Sequence, residues 1–118
     1  MQPLGVHHVS INVSDVEVAI EFYVGVLGLS VRGDRPNFPV EGAWLDAGAH
    51  QLHIVRGEAP AGLGQHFALL VEDLDAVATE LREKGLTVGG PMPVGGAHQA
   101  FVTDPDGNLL ELHQAAGT

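Results

Sequence analysis

Residues 8–31, HVSINVSDVEVAIEFYVGVLGLSV, and residues 66–88, HFALLVEDLDAVATELREKGLTV, follow one plan at an offset of 58 positions. The offset carries Val13 onto Val71, Asp15 onto Asp73, and the apolar set Val16, Ala19, Ile20, Tyr23 onto Leu74, Val77, Ala78, Leu81. It also carries His8 onto His66 and His53 onto Glu111. A duplication that keeps two pairs of metal-competent side chains in register predicts a pseudo-twofold arrangement with a metal ion near its axis.

Outward from that core, Val6 to Val13 reads as a strand, with His8, Ser10 and Asn12 on one face and Val9, Ile11 and Val13 on the other. Ser14 offers a helix N-cap with Glu17 three residues on, and Val16, Ala19, Ile20, Tyr23, Val24 and Leu27 form a helical stripe that Gly28 stops. Short strands are expected near Leu29 to Arg32, Gly42 to Asp46 and Gln51 to Val55, between the turn-rich stretches GDRPNFP and AGAH. Residues 57–64, GEAPAGLG, have the composition of a connector.

The second copy then runs through HFALLV, a helix from about Asp73 to Lys84 closed by Gly85, and strands near Leu86 to Val88, His98 to Thr103 and Asn108 to His113. Asp104, Pro105, Asp106 and Gly107 match a type I turn, which makes the last two strands a hairpin. The expectation is one domain over residues 1–118, made of two repeats of strand, helix and three strands at about 5–56 and 65–114.

Bulk properties narrow the partners. Five basic against fifteen acidic residues give a formal charge of −10, which disfavours phosphate backbones and anionic lipid, so neither nucleic acid nor membrane is expected. The absence of cysteine excludes disulfides and thiol chemistry, and no run nears the ~18 apolar residues that span a bilayer. The start MQPLGVHHV has neither the charged nor the apolar region of a secretory signal, so a cytoplasmic location and a small-molecule ligand are expected.

A histidine alone in an apolar strand is ordinarily a packed or surface residue, and a glutamate between Leu110 and Leu112 either faces solvent or must find a cation. The shared register makes His8, His53, His66 and Glu111 one set, and three imidazoles with one carboxylate suit one divalent ion per site: Zn, Ni, Co, Mn or Fe(II). His7 should point away from His8 along the strand, and His50, His98 and His113 have no equivalent in the other copy. Ser10 and Asn12 share the face of His8, and Ala68 and Leu70 that of His66. Trp44 and Phe38 offer an apolar wall and Arg35 a cation for a substrate anion, although aromatic residues are more often core and loop arginines more often solvated.

The two quoted stretches, together with the ending AFVTDPDGNLLELH at 100–113, resemble the vicinal oxygen chelate superfamily, the glyoxalase, bleomycin-resistance and extradiol dioxygenase group. The resemblance implies an α+β fold: two βαβββ modules forming a half-open eight-strand barrel, completed in a homodimer. It implies metal ligands on the first and last strand of each module, here His8, His53, His66 and Glu111. It also implies that the ion binds vicinal substrate oxygens and stabilises an enolate, with Glu111 as the base.

Glyoxalase I is similar in size and module order but places a carboxylate at the position of His53 and basic residues where Asn12 and Val94 stand. Fosfomycin-modifying thiol transferases and extradiol dioxygenases match His8, His66 and Glu111 and leave His53 surplus. Binding proteins of the bleomycin-resistance type generally lose the ligands. A lyase or isomerase acting on a small oxygenated metabolite is therefore the expected activity.

Overall fold

In the computed structural model, residues 1–60 and 64–117 are described, and they form two compact units divided after Pro60. Positions 61–63 of the expected connector lie outside the described residues. The elements in chain order are β1 (His8–Val13), α1 (Val16–Ile20), β2 (Ser30–Val31), β3 (Gly42–Ala47), β4 (His50–Arg56), β5 (His66–Leu70), α2 (Leu74–Glu83), β6 (Gly89–Val94), β7 (Ala97–Thr103) and β8 (Leu109–Gln114). Each unit is a mixed four-stranded sheet with one helix, the βαβββ plan of an α+β fold.

In the first unit the strand order is β1-β4-β3-β2, and in the second β5-β8-β7-β6. The first strand of each unit lies parallel to its last, and every other pair is antiparallel. The duplication reaches the register itself, because Ser10 pairs with His53 as Ala68 pairs with Glu111. Neither sheet closes on itself.

Strand alternation then sorts the side chains. Val13, Ala43, Leu45, Leu52 and Ile54 are buried with Val16, Ala19, Phe22 and Tyr23 of the first helix, which lies against β3 and β4. Ala100, Val102, Leu110 and Leu112 are buried with Leu74, Ala78 and Leu81 of α2 in the same way. Each large side chain so buried contributes roughly 1.5–3 kcal/mol. Tyr23 is fully enclosed, the core role its match to Leu81 implies.

Both helices start on an aspartate. Asp15 Oδ1 accepts from the Val18 N–H at 3.2 Å, and Asp73 Oδ1 from the Ala76 N–H at 3.1 Å. The cap is therefore Asp15 and not Ser14; a carboxylate satisfies the same orphan donor and also meets the positive end of the helix dipole. Past Ile20 the first helix widens into π-helical turns over Glu21–Val26, with the Leu27 N–H reaching the Phe22 carbonyl at 3.0 Å. Gly28 and Gly85, at φ 84° and 92°, end the two helices 57 positions apart, one fewer than the 58 between their caps. The wider turns absorb that extra residue.

The strand expected over Leu86 to Val88 is displaced to Gly89–Val94. Arg82 Nη2 takes the Val88 carbonyl at 3.0 Å, so that segment runs to the helix end instead of the sheet. Pro91 and Pro93 are tolerated in β6 because it is the edge strand, and the pairing to β7 slips between Gly89 and Met92. The β7–β8 turn forms as read, with the Gly107 N–H on the Asp104 carbonyl at 2.9 Å. Asp104 is buried, and its carboxylate accepts from the Asp106 and Asn108 N–H groups and from Asn108 Nδ2, each at 2.8 Å.

Candidate functional site

The helix occupies one face of each sheet, and all four candidate ligands stand on the other. Alternation fixes this: Leu52 and Ile54 point to the first helix, so His53 cannot, and Leu110 and Leu112 do the same for Glu111. Parallel pairing of first and last strands then sets His8 beside His53, and His66 beside Glu111.

In the second unit His66 Nδ1 lies 2.9 Å from the Gly64 carbonyl and Nε2 lies 3.2 Å from Glu111 Oε1. A carbonyl only accepts, so Nδ1 carries a hydrogen. Nε2 therefore faces a carboxylate with either a second proton or a lone pair, and a lone pair there is repelled unless a cation lies between. The Gly64 carbonyl first, and the Glu111 carboxylate after it, push the His66 pKa above its ordinary value. The other carboxylate oxygen, Oε2, is 2.9 Å from Nδ1 of His113. This pairing was not expected from the repeat, which sets Val55 opposite His113; the available signal was the spacing of two along one strand, which puts Glu111 and His113 on one face. Phe101 closes the group, its ring edge-on to His66 with centroids 5.7 Å apart.

The first unit holds its histidines differently. His53 is sandwiched between His8 (centroids 3.8 Å, planes 13° apart) and Trp44 (4.4 Å, 10°), and it is only 7% exposed. Its Nε2 lies 2.9 Å from Gln51 Oε1. Burial, then the charges of His8, His7, Arg32 and Arg35, hold the His53 pKa below its ordinary value, favouring the neutral ring. His7 stands ahead of β1, where alternation does not apply, and its Nδ1 approaches His8 Nδ1 at 2.9 Å instead of pointing away.

An imidazole ligand keeps its ion near the ring plane at about 2.0–2.1 Å. The His66 Nε2 and Glu111 Oε1 atoms already converge on the place of one proton, which a cation can take, so the donor chemistry of that pair fits a metal. Two parallel stacked rings cannot both hold one ion in plane, so His8 and His53 fit as joint ligands only after one ring turns. Among the described residues no group of three or more His, Cys, Asp or Glu side chains is gathered to hold a metal ion.

The remaining expected residues are placed as follows. Ser10 is exposed opposite His53. Asn12 Nδ2 donates to the Glu58 carbonyl at 3.1 Å and so ties β1 to the chain leaving β4. Arg35 Nη2 donates to the Val40 carbonyl at 2.9 Å and its guanidinium lies 5.1 Å from the Phe38 ring centre. Phe38 in turn stands 6.2 Å from Trp44 at a tilt of 51°, so Trp44 joins the His53 stack and Phe38 lies exposed beside it, neither in the helix-side core. Arg35 is thus a staple of its own loop.

The superfamily described as Glyoxalase/Bleomycin resistance protein/Dioxygenase matches residues 5–112, and the chain belongs to it. A lactoylglutathione lyase of Arabidopsis thaliana is 33% identical over 125 residues, covering 94% of this chain and 44% of that protein. A probable lactoylglutathione lyase of Synechocystis is 32% identical, covering 92% of this chain and 94% of the relative. This chain thus spans under half of the first relative and nearly all of the second. Among solved structures, an antibiotic binding protein from Streptomyces sp. CB03234 has a TM-score of 0.84 at 30% identity, covering 98% of this chain and 99% of that one.

Proposed function

We propose that the protein is a divalent-metal-dependent lyase or isomerase of the glyoxalase type acting on a small oxygenated metabolite. His8, His53, His66 and Glu111 are its ligands, and the homodimer is its working form. The observation that carries the reading is the His66 Nε2 aimed at Glu111 Oε1 with Nδ1 already committed to a carbonyl, a half-site in which a metal ion can take the place of the Nε2 proton. The 58-residue register and the lyase relatives add to it.

The bound ion supplies Lewis-acid stabilisation of charge developing on a carbonyl oxygen. The chain supplies the rest. Glu111, the one carboxylate of the set, would take the proton from the carbon beside that carbonyl once Oε1 loosens from the ion, and Phe101 shields the group from water on one side. Val94 and Asn12 give no cation for a glutathione carboxylate, so the substrate is expected to be smaller or neutral there.

Trp44 is the only tryptophan and stacks on His53, so an ion held by His53 changes the charge beside the indole. Titrating the dialysed full chain with Zn2+, Ni2+ or Co2+ is expected to change Trp44 emission in step with binding, and His53→Ala to weaken binding. Binding with no change in emission and full affinity in His53→Ala would remove His53 from the set.

A second reading is favoured by the stack of Trp44, His53 and His8, with Phe38 tilted beside it, and by the likeness to the antibiotic binding protein: a groove that sequesters a planar compound without turnover. Under it, Trp44 emission responds to planar aromatic compounds and not to metal.

A further inference from the structure

Glu111 is held by both of its oxygens, and the two contacts do different work. Oε1 faces His66 Nε2 across 3.2 Å, the gap assigned above to a cation, whereas Oε2 is taken by His113 Nδ1 at 2.9 Å. Glu111 and His113 stand two residues apart on β8, so strand alternation delivers both to the same helix-free face without any loop to adjust. A carboxylate whose second oxygen accepts an N–H bond is turned so that only the first can approach a cation. With both oxygens free it tends to chelate and fill two coordination positions. The first unit has no counterpart, since Val55 stands where the offset places His113 and cannot donate.

We infer that His113 is a positioning residue for the metal half-site: its Nδ1–H occupies Oε2 of Glu111, so that only Oε1 would be presented to a bound cation. The inference rests on the metal-dependent reading above. His113 touches no substrate; it acts through Glu111, as an outer hydrogen-bond partner orients a ligand. Its ring is held by that bond and by its place between β5 and β7, where Leu70 and Gln99 are its register partners.

The probe is Co2+ alone, titrated into the dialysed full chain and followed by its visible absorption, whose intensity and position report coordination number. The wild type is expected to bind, His113→Ala to bind 10–100-fold more weakly with an altered band, and His113→Asn, whose side-chain N–H falls near the position of Nδ1, to recover most of the affinity and the wild-type band. The urea midpoints of the two metal-free variants should agree, separating positioning from a general loss of structure. If His113→Ala does not fold, His113→Leu replaces it. Equal affinity and an unchanged band in His113→Ala, or no recovery in His113→Asn, overturns the inference while the metal reading stands. A wild type that binds no Co2+ overturns both, and is told apart by needing no variant.

Discussion

His66 sits between two acceptors, the Gly64 carbonyl and the Glu111 carboxylate, and both favour its charged form in the metal-free protein. Its folded pKa lies above the unfolded value of about 6.5. The stabilisation from the pair is therefore complete below about pH 6.5 and is lost as pH rises through the folded value. Urea unfolding of metal-free protein should show the advantage of wild type over His66→Gln shrinking from pH 6 to pH 8.5; a constant advantage would mean that His66 is not charged by its neighbours. At this scale the sequence was legible where an offset could be counted: His8, His53, His66 and Glu111 all fall on helix-free faces, His8 beside His53 and His66 beside Glu111. What it did not carry was ring orientation. The stack of His8 on His53 depends on how imidazoles on adjacent parallel strands meet Trp44, and the His113 contact depends on a rotamer.

The two helices are capped alike, which allows a paired test. Asp15→Ala and Asp73→Ala should each cost about 1 kcal/mol in urea unfolding, since each loses one bond to an orphan N–H and a favourable charge at the helix start. A cost for only one of them would show that the repeats do not share their folding energetics. Asp104→Ala should be more severe, about 2–4 kcal/mol, because the buried carboxylate accepts two backbone N–H bonds and one from the Asn108 side chain, and its removal takes the acceptor from all three. A loss below about 1 kcal/mol would mean that water takes over those donors. The turn at Asp104 to Gly107, the Gly28 and Gly85 stops and the apolar stripes were all readable because each rests on local chemistry. The displaced β6 was not: GGPMPV has the composition of a loop and becomes a strand only because it lies on an edge and Arg82 draws off the preceding carbonyl. The π-helical turns were equally hidden, since one surplus residue leaves the apolar stripe nearly intact.

A formal charge of −10 over 118 residues makes a cation an expected companion and an anionic polymer an unexpected one. Among the described residues no helix is long and apolar enough to cross a membrane. The proposed homodimer should sediment at twice the mass of one chain at micromolar concentration, and a monomer under those conditions would detach that part of the proposal from the family likeness. The central claim is that the protein holds a divalent ion through the proposed ligands, and elemental analysis of protein purified without a chelating tag or resin tests it most directly, repeated on His8→Ala and Glu111→Ala. The account predicts about one divalent ion per chain in the wild type and its loss in both variants. No ion in the wild type, even after candidate metals are returned to dialysed protein, would contradict it.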